Sequence, residues 1–398
     1  MADTLPENLV RGCEGVYSSE DLAAKLRSSR PLRIKFGMDP TAPDLHLGHC
    51  VVLRKLRVFQ DLGHRAVLII GDYTARIGDP TGRDITRPVL DEAAIDRNAR
   101  TYLDQAGAIL DTCEAKLEVR RNSEWLGALE FADVLRLTGY FTVQQMLQRD
   151  MFKKRVAAER QIVISEFMYP LMQAYDSVVV EADVELGGSD QTFNNLMGRE
   201  LMGRRDMPRQ VVMTLPLLTG VDGHEKMSKS KGNTVDVTDE PADMFGKMMS
   251  IPDALMKDYF DLLTDLPDDR IASLVDASTT HPREAKDILA RILVESFHGR
   301  DAANAASEEF RRRFADHGLP DDLKTVDLPA ASMGPIPLLR AAGFASSNSE
   351  ARRLVVQGAV SLDGEKVIDP ETDLVIAGEP ILKVGKRRIC RLRAVAES

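Results

Sequence analysis

Hydrophobic positions in the first part of the chain switch between two periods. Residues 33–38 (Arg-Ile-Lys-Phe-Gly-Met) alternate and stop at Asp39-Pro40-Thr41, which predicts a strand running into a loop. A helical period follows over residues 45–62, with Asp44 placed to cap it and Gly63 to close it. Residues 66–72 (Ala-Val-Leu-Ile-Ile-Gly-Asp) are an apolar run ending in glycine, the pattern of a parallel strand buried on both faces. Strand, helix and strand make one crossover unit of a doubly wound sheet, whose ligands sit at the C-terminal strand ends. The loops at Asp39 and Asp72 both lie at such ends.

From residue 92 to about 160 helical patterns interrupt this alternation and predict an insertion. Residues 177–182 (Ser-Val-Val-Val-Glu-Ala) and 211–218 predict two further strands, the second leading into a loop at 223–232. Residues 236–320 are mainly helical, and 321–335 read as a linker. A small unit over 336–398 carries two short helices and a hairpin turning at Asp363-Gly364. The expected fold class is α/β. A Rossmann-like doubly wound parallel sheet with a helical insertion fills residues 1–235, followed by an α-helical domain and a small α+β domain.

Composition narrows the class. A chain of 398 residues exceeds one ordinary core, and 43% hydrophobic with 29% charged residues is typical of globular proteins. No apolar run reaches membrane-spanning length, and Met1-Ala2-Asp3-Thr4-Leu5-Pro6 lacks a signal-peptide pattern, so a cytoplasmic protein is expected. Cys13, Cys50, Cys113 and Cys390 are scattered, which predicts neither zinc nor a disulfide framework. A net charge of −10 argues against indiscriminate coating of nucleic acid. One basic patch stands out, with Lys383, Lys386, Arg387, Arg388, Arg391 and Arg393 in a stretch free of acids. It reads equally as a solvated strand face or as an RNA contact.

Three groups of residues carry candidate chemistry. His46-Leu47-Gly48-His49 puts two imidazoles on one face of a first helical turn, where free N–H groups and the helix dipole favour a phosphate. Gly48 leaves room for a flat base. The same spacing also serves a metal pair or an ordinary helix start. Lys226-Met227-Ser228-Lys229-Ser230, flanked by Gly223 and Gly232, reads as a mobile cationic loop able to close over a triphosphate, or as a solvated basic loop. No phosphate-loop sequence ending Gly-Lys-Ser/Thr is present. Tyr169, Gln173 and Asp176 fall on one stripe of a helix that is otherwise apolar, with Pro170 requiring a first-turn position or a bend. They are either a ligand-reading surface or polar groups satisfying one another.

In this order, Asp39-Pro40-Thr41, His46…His49, Ile77-Gly78-Asp79-Pro80-Thr81-Gly82-Arg83, Tyr169…Gln173…Asp176, Gly187-Gly188-Ser189-Asp190-Gln191 and Lys226–Ser230 resemble the bacterial tyrosyl-tRNA synthetases of class I. The end of the chain resembles their S4-type RNA-binding module. The resemblance runs from about Leu32 to the C-terminus. It implies ATP with magnesium, L-tyrosine and tRNA(Tyr) as substrates and partners, a homodimer through the inserted helices, and tyrosine–tRNA ligase activity. Asp176 is then implied to meet the phenol hydroxyl, Tyr169, Gln173 and Asp79 the ammonium group, and Gln191 the carboxylate. Thr41, His46, His49, Lys226 and Lys229 are implied in catalysis. Gly37, Asp39, Gly48, Arg83, Arg87, Asp190 and Met227 are implied to bind ATP. Arg352, Arg353, Lys386, Arg387 and Arg388 are implied to bind RNA. Lys35 departs from those relatives that place a tyrosine against the substrate hydroxyl, and it is the implied residue on that second side. Two other readings keep the fold: an enzyme for a tyrosine analogue, or an RNA-binding protein without catalysis. The intact histidines and lysines argue against the latter.

Overall fold

The structure is a computed structural model that describes residues 5–79, 91–314, 323–330, 332–363, 365–376, 379–385 and 388–394. The chain forms two compact units, Met1–Phe310 and Arg311–Ser398. The first opens with α1 (Glu7–Val10), β1 (Gly15–Tyr17) and α2 (Ser19–Leu26), then β2 (Arg33–Met38), α3 (Leu47–Asp61) and β3 (Arg65–Ile70). Ala66 to Ile70 are all buried, as the continuous apolar run predicts for an inner parallel strand. Next come α4 (Glu92–Ala106), β4 (Leu117–Arg121), α5 (Ser123–Leu126), α6 (Phe131–Thr138), α7 (Val143–Met146) and α8 (Asp150–Ala157). A long helix α9 (Ile164–Val179) then leads to β5 (Val184–Gly188), α10 (Thr192–Arg204) and β6 (Val211–Leu215).

The sheet order is β1-β6-β5-β2-β3-β4, antiparallel only at β1–β6. The chain moves outward from β2 on one side and from β5 on the other. The β2–β5 border is therefore the switch point, where a crevice opens at the C-terminal strand ends. Registry there pairs Ile34 with Val184 and Lys35 with Glu185.

Three expectations are corrected. Residues 177–182 are not a strand: α9 runs to Val179, and the strand starts at Val184. Val178 packs among Met197, Leu201 and Met202 of α10, and Val180 joins Trp125 and Leu126. Burial against helices outweighs the strand preference of three consecutive valines. The inserted region also contains β4, which completes the sheet edge. Asp44 does not cap α3. His46 is the N-cap, and the Asp44 carboxylate accepts from Thr238 Oγ1 at 3.0 Å.

The helical region comprises α11 (Pro241–Ser250), α12 (Met256–Leu263), α13 (Asp268–Val275), α14 (Pro282–His298) and α15 (Arg300–Phe314). Phe245, Tyr259, Phe260 and Leu289 belong to one core with Leu53, Leu56 and Phe59 of α3. The expected boundary at 235/236 thus falls inside continuous packing. Truncating one such fully buried aromatic ring to alanine costs about 3–5 kcal/mol.

The second unit holds β7 (Thr325–Leu328), β8 (Ser332–Met333), α16 (Pro335–Ala341) and α17 (Asn348–Val356). These precede β9 (Val360–Leu362), β10 (Glu365–Val367), β11 (Leu374–Val375), β12 (Ile381–Val384) and β13 (Arg388–Ala394). Its main sheet runs β10-β9-β12-β13-β7, and β8 pairs with β11. The hairpin β9–β10 forms as expected, with Asp363 at φ 48° in the left-handed region its turn requires. The expected linker 321–335 is corrected: Thr325–Leu328 pairs in parallel with β13, and Val326 and Leu328 enter the small core with Leu338, Val355 and Leu392.

Candidate active site

The switch-point crevice collects loops from four strand ends, and α9 lies across it. Tyr169 donates its hydroxyl to Asp39 Oδ2 at 2.9 Å, and Thr74 donates to Asp39 Oδ1 at 2.7 Å. A Cβ at Gly71 would lie 2.0 Å from Asp39 Oδ1, so glycine alone fits beside that carboxylate. Asp79 accepts from Gln191 Nε2 at 2.8 Å and from Arg149 Nη2 at 3.3 Å. At the inner end, buried Asp176 accepts from Trp125 Nε1 at 2.8 Å and Asn122 Nδ2 at 3.3 Å. Gln173 Nε2 donates to Asn195 Oδ1 at 2.9 Å. Pro170 sits in the second turn of α9, not the first, so the Glu166 carbonyl lacks its usual intrahelical donor.

Burial raises two carboxyls of this crevice. Desolvation pushes Asp39 up to about 7, aided by Asp79 and Asp176 and opposed by the bonds from Thr74 and Tyr169. Asp176 rises to about 6, also by desolvation, with Lys35, Trp125 and Asn122 pulling down. The crevice thus presents an acceptor at its inner end and a group of carboxylates nearer its mouth, a surface suited to a hydroxyl and an ammonium on one ligand.

Lys35 is corrected as a ligand contact. Its side chain is wholly buried, and its ammonium bonds Glu185 Oε1 at 2.8 Å, Ser177 Oγ at 2.7 Å and the Gln173 carbonyl at 2.9 Å. All three N–H groups are used, so none remains for a hydroxyl. Lys35 instead fixes the stretch of α9 that carries Gln173 and Asp176.

The second half of the crevice is cationic. His46 and His49 stack with ring centroids 3.9 Å apart at the start of α3. The His46 backbone N–H donates to His49 Nδ1 at 3.2 Å, which leaves the His49 proton on Nε2. Burial, His49, Lys229 and Lys226 push His46 down to about 2; burial and Lys229, against Asp236, push His49 to about 4. Both rings are therefore neutral at physiological pH. Gly48 faces His46, whose ring would lie 3.0 Å from an added Cβ, and Gly37 presents an open side with only Ile69 at 4.0 Å. Thr41 N–H closes the turn onto the Asp39 carbonyl at 2.8 Å.

The lysine loop is pinned by ion pairs, which differs from the expectation of a mobile loop. Lys226 pairs with Asp190 at 2.9 Å, Lys229 with Asp236, and Lys231 with Glu225 at 2.7 Å. Buried Asn233 holds both sides: its Nδ2 donates to Asp222 and the Lys226 carbonyl, and its Oδ1 accepts from Ser228 N–H at 2.8 Å. Met227 is buried and anchored by its N–H to the Leu218 carbonyl. Gly223 and Gly232 take φ values of 81° and 65°, so turn geometry accounts for both. Arg83, Arg87, Lys386 and Arg387 lie outside the described residues.

In the second unit Arg352 pairs with Glu371, Arg391 with Glu379 and Arg393 with Asp327, while Arg388 donates to the Phe344 carbonyl. The patch that looks free of acid in the sequence is partly offset by acids from other elements. Arg353 stands exposed on α17.

Residues 27–315 match the model of the tRNA synthetases class I (W and Y), and residues 338–376 match the S4 domain. The chain belongs to the class I tRNA synthetases (W and Y). This synthetase is 49% identical over 391 residues to the tyrosine–tRNA ligase of Moorella thermoacetica, covering 96% of this chain and 94% of that one. It is 48% identical over 393 residues to the tyrosine–tRNA ligase of Haemophilus influenzae, covering 98% and 97%. A C-terminally truncated mitochondrial tyrosyl-tRNA synthetase of Aspergillus nidulans superposes with a TM-score of 0.65 at 26% identity, over 77% of this chain and 93% of that structure. Among the described residues no helix is long and apolar enough to cross a membrane, and no cluster of three His, Cys, Asp or Glu side chains could hold a metal ion.

Sequence reasoning missed Asn122 and Trp125, which hold Asp176, along with Thr74, Glu185, Asn233 and Asp236. None sits in a marked motif; only the rarity of Trp125, the one tryptophan of the chain, could have drawn notice. Trp125 also serves as a probe. Lys35→Met leaves Glu185 charged and buried, and is expected to destabilise the first unit by about 3–5 kcal/mol, with Lys35→Met/Glu185→Leu recovering most of the loss. Urea unfolding followed by Trp125 emission measures both. A second prediction concerns pH. A carboxyl raised to about 7 favours the fold when protonated, and that stability is lost as pH rises through about 7. The wild type should therefore lose thermal stability relative to Asp39→Asn as pH rises toward about 7, with a constant gap above; a gap independent of pH would refute the assignment.

Proposed function

We infer that this synthetase is a tyrosine–tRNA ligase: it activates L-tyrosine with ATP and transfers it to the 3′ end of tRNA(Tyr). The observation that carries this reading is Asp176, buried at the inner end of the crevice and held by Trp125 and Asn122 on the same stripe as Tyr169 and Gln173. Each carboxylate oxygen keeps a lone pair for the phenol hydroxyl. Phenylalanine would leave that buried acceptor without its donor. The ammonium group meets Asp39, Asp79 and Tyr169, which turns the tyrosine carboxylate toward the histidine turn.

That carboxylate is the nucleophile. Its oxygen forms a bond to the α-phosphorus of ATP as the bond to the pyrophosphate oxygen breaks. The neutral His46 and His49 donate to phosphate oxygens, and Lys226 and Lys229 take up charge growing on the leaving pyrophosphate. Magnesium enters with ATP as part of the substrate, carried by phosphate oxygens. A hydroxyl at the tRNA 3′ end then attacks the tyrosyl carbonyl and AMP departs. The S4 unit supports tRNA binding through Arg353 and the basic residues of its sheet. Exposed Phe131, Leu135 and Val143 in the inserted region, with Ile164 at the start of α9, support a homodimer, since a monomer gains nothing by leaving such side chains in water. The absence of a signal-peptide pattern and of paired cysteines supports a cytoplasmic enzyme.

Exchange of labelled pyrophosphate into ATP should require tyrosine and be far weaker with phenylalanine; exchange with another amino acid and none with tyrosine would overturn the reading. A chain ending at residue 322 lacks the described strands of the second unit, β7 included. It should keep this exchange and lose tRNA charging, whereas normal charging would refute the RNA role of that unit.

A further inference from the structure

Lys229 differs from the other loop lysines in the partner it keeps. Lys231 pairs within the loop, to Glu225, and Lys226 pairs to Asp190 on the turn after β5. Lys229 bonds Asp236, a residue fastened to the histidine turn itself. Leu47 N–H donates to the Val235 carbonyl and Val237 N–H to the Leu45 carbonyl, each at 3.0 Å, and Asp236 faces His46 in an antiparallel bridge. The Asp236 N–H donates to Asp239 Oδ2 at 2.8 Å, and Asp239 is paired in turn with Lys247 of α11. The carboxylate therefore stands on backbone tied to α3 and the helical region, while its cation stands on the loop. It is 18% exposed, and its Oδ1 is buried and accepts no hydrogen bond among the described residues. Asp44 lies 3.7 Å from the same ammonium, beyond hydrogen-bond reach, and accepts from Thr238 instead.

A carboxylate beside a triphosphate site repels the ligand, so its presence there calls for a compensating role. We propose that Asp236 is the positioning residue for Lys229, holding the ammonium beside His46 and His49 before ATP enters so that it passes to the leaving pyrophosphate over a short path. A lysine on a four-carbon stem otherwise has to be collected from many rotamers at each turnover. Asp236 touches neither substrate in this account and acts only through Lys229. The role rests on the adenylation reading given above.

A double-mutant cycle in the full chain tests it, using Asp236→Asn, Lys229→Ala and the pair, read by tyrosine-dependent pyrophosphate exchange and by titration with ATP alone. Asp236→Asn is expected to slow exchange about tenfold, leave KM for tyrosine little changed, and add nothing in the Lys229→Ala background. Asp236→Glu keeps the charge one methylene away and should fall between wild type and the amide; it replaces the amide variant in the cycle if that does not fold. An unslowed Asp236→Asn would overturn the proposal. So would an effect of equal size in both backgrounds, because a loosened α3 would produce that without Lys229. If the parent chain shows no exchange with tyrosine, the ligase reading fails, and the ATP titration still decides on Asp236. A change in ATP affinity confined to the background with Lys229 upholds the positioning role; an equal change in both, or none, overturns it.

Discussion

The buried pair between Lys35 and Glu185 is the constraint on which the crevice depends. The two residues face each other in register across the switch point, on β2 and β5. A lone charge at either buried position would be very costly, so the two strands and their partners are bound to a single arrangement. The pair extends beyond itself. Ser177 and the Gln173 carbonyl join from α9, and Gln210 donates to Glu185 and to the Asn195 carbonyl of α10. Two strands and two helices are thereby locked in register by one polar network. Gln173 of the α9 stripe stands directly on it.

From that base the crevice divides by charge. Asp39, Asp79 and Asp176 make one end anionic, while Lys226, Lys229 and the start of α3 make the other attractive to phosphate. An amino acid has its cationic group and its nucleophilic carboxylate on one carbon. A crevice polarised in this way is suited to such a ligand, with acids at one end for the ammonium and cations at the other for anionic groups. Burial keeps both histidines neutral, so they stand at the start of α3 as directed dipoles with no net charge, and the lysines supply the charge.

Much of this was legible in the sequence because the chemistry sits in short contiguous motifs at strand ends. Asp39-Pro40-Thr41, His46…His49 and the apolar run at 66–70 specify strand, loop and helix start together, and the stripe on α9 follows from helical spacing. What escaped has a common cause. Asn122, Trp125 and Glu185 matter through partners far away in the chain, and no local pattern marks them. The valines at 178–180 carry a strand preference that packing against α10 and Trp125 overrides. The C-terminal basic stretch is free of acids only within itself, since Glu379, just before β12, and Asp327 of β7 reach it. β7 reads as linker because its partner, β13, lies at the far end of its unit.

The single core shared by α3 and the helices after residue 235 makes the two walls of the crevice respond differently to their surroundings. The histidine turn is held by apolar packing and backbone hydrogen bonds, which dissolved salt hardly affects. The lysine loop is held by partly exposed ion pairs to Asp190, Asp236 and Glu225, and mobile ions within a Debye length of about 10 Å at ordinary ionic strength weaken those. Ionic strength therefore acts on one wall of the crevice and spares the other. The medium surrounding the protein sets how firmly the loop is held to its partners, while the histidine turn opposite stays fixed.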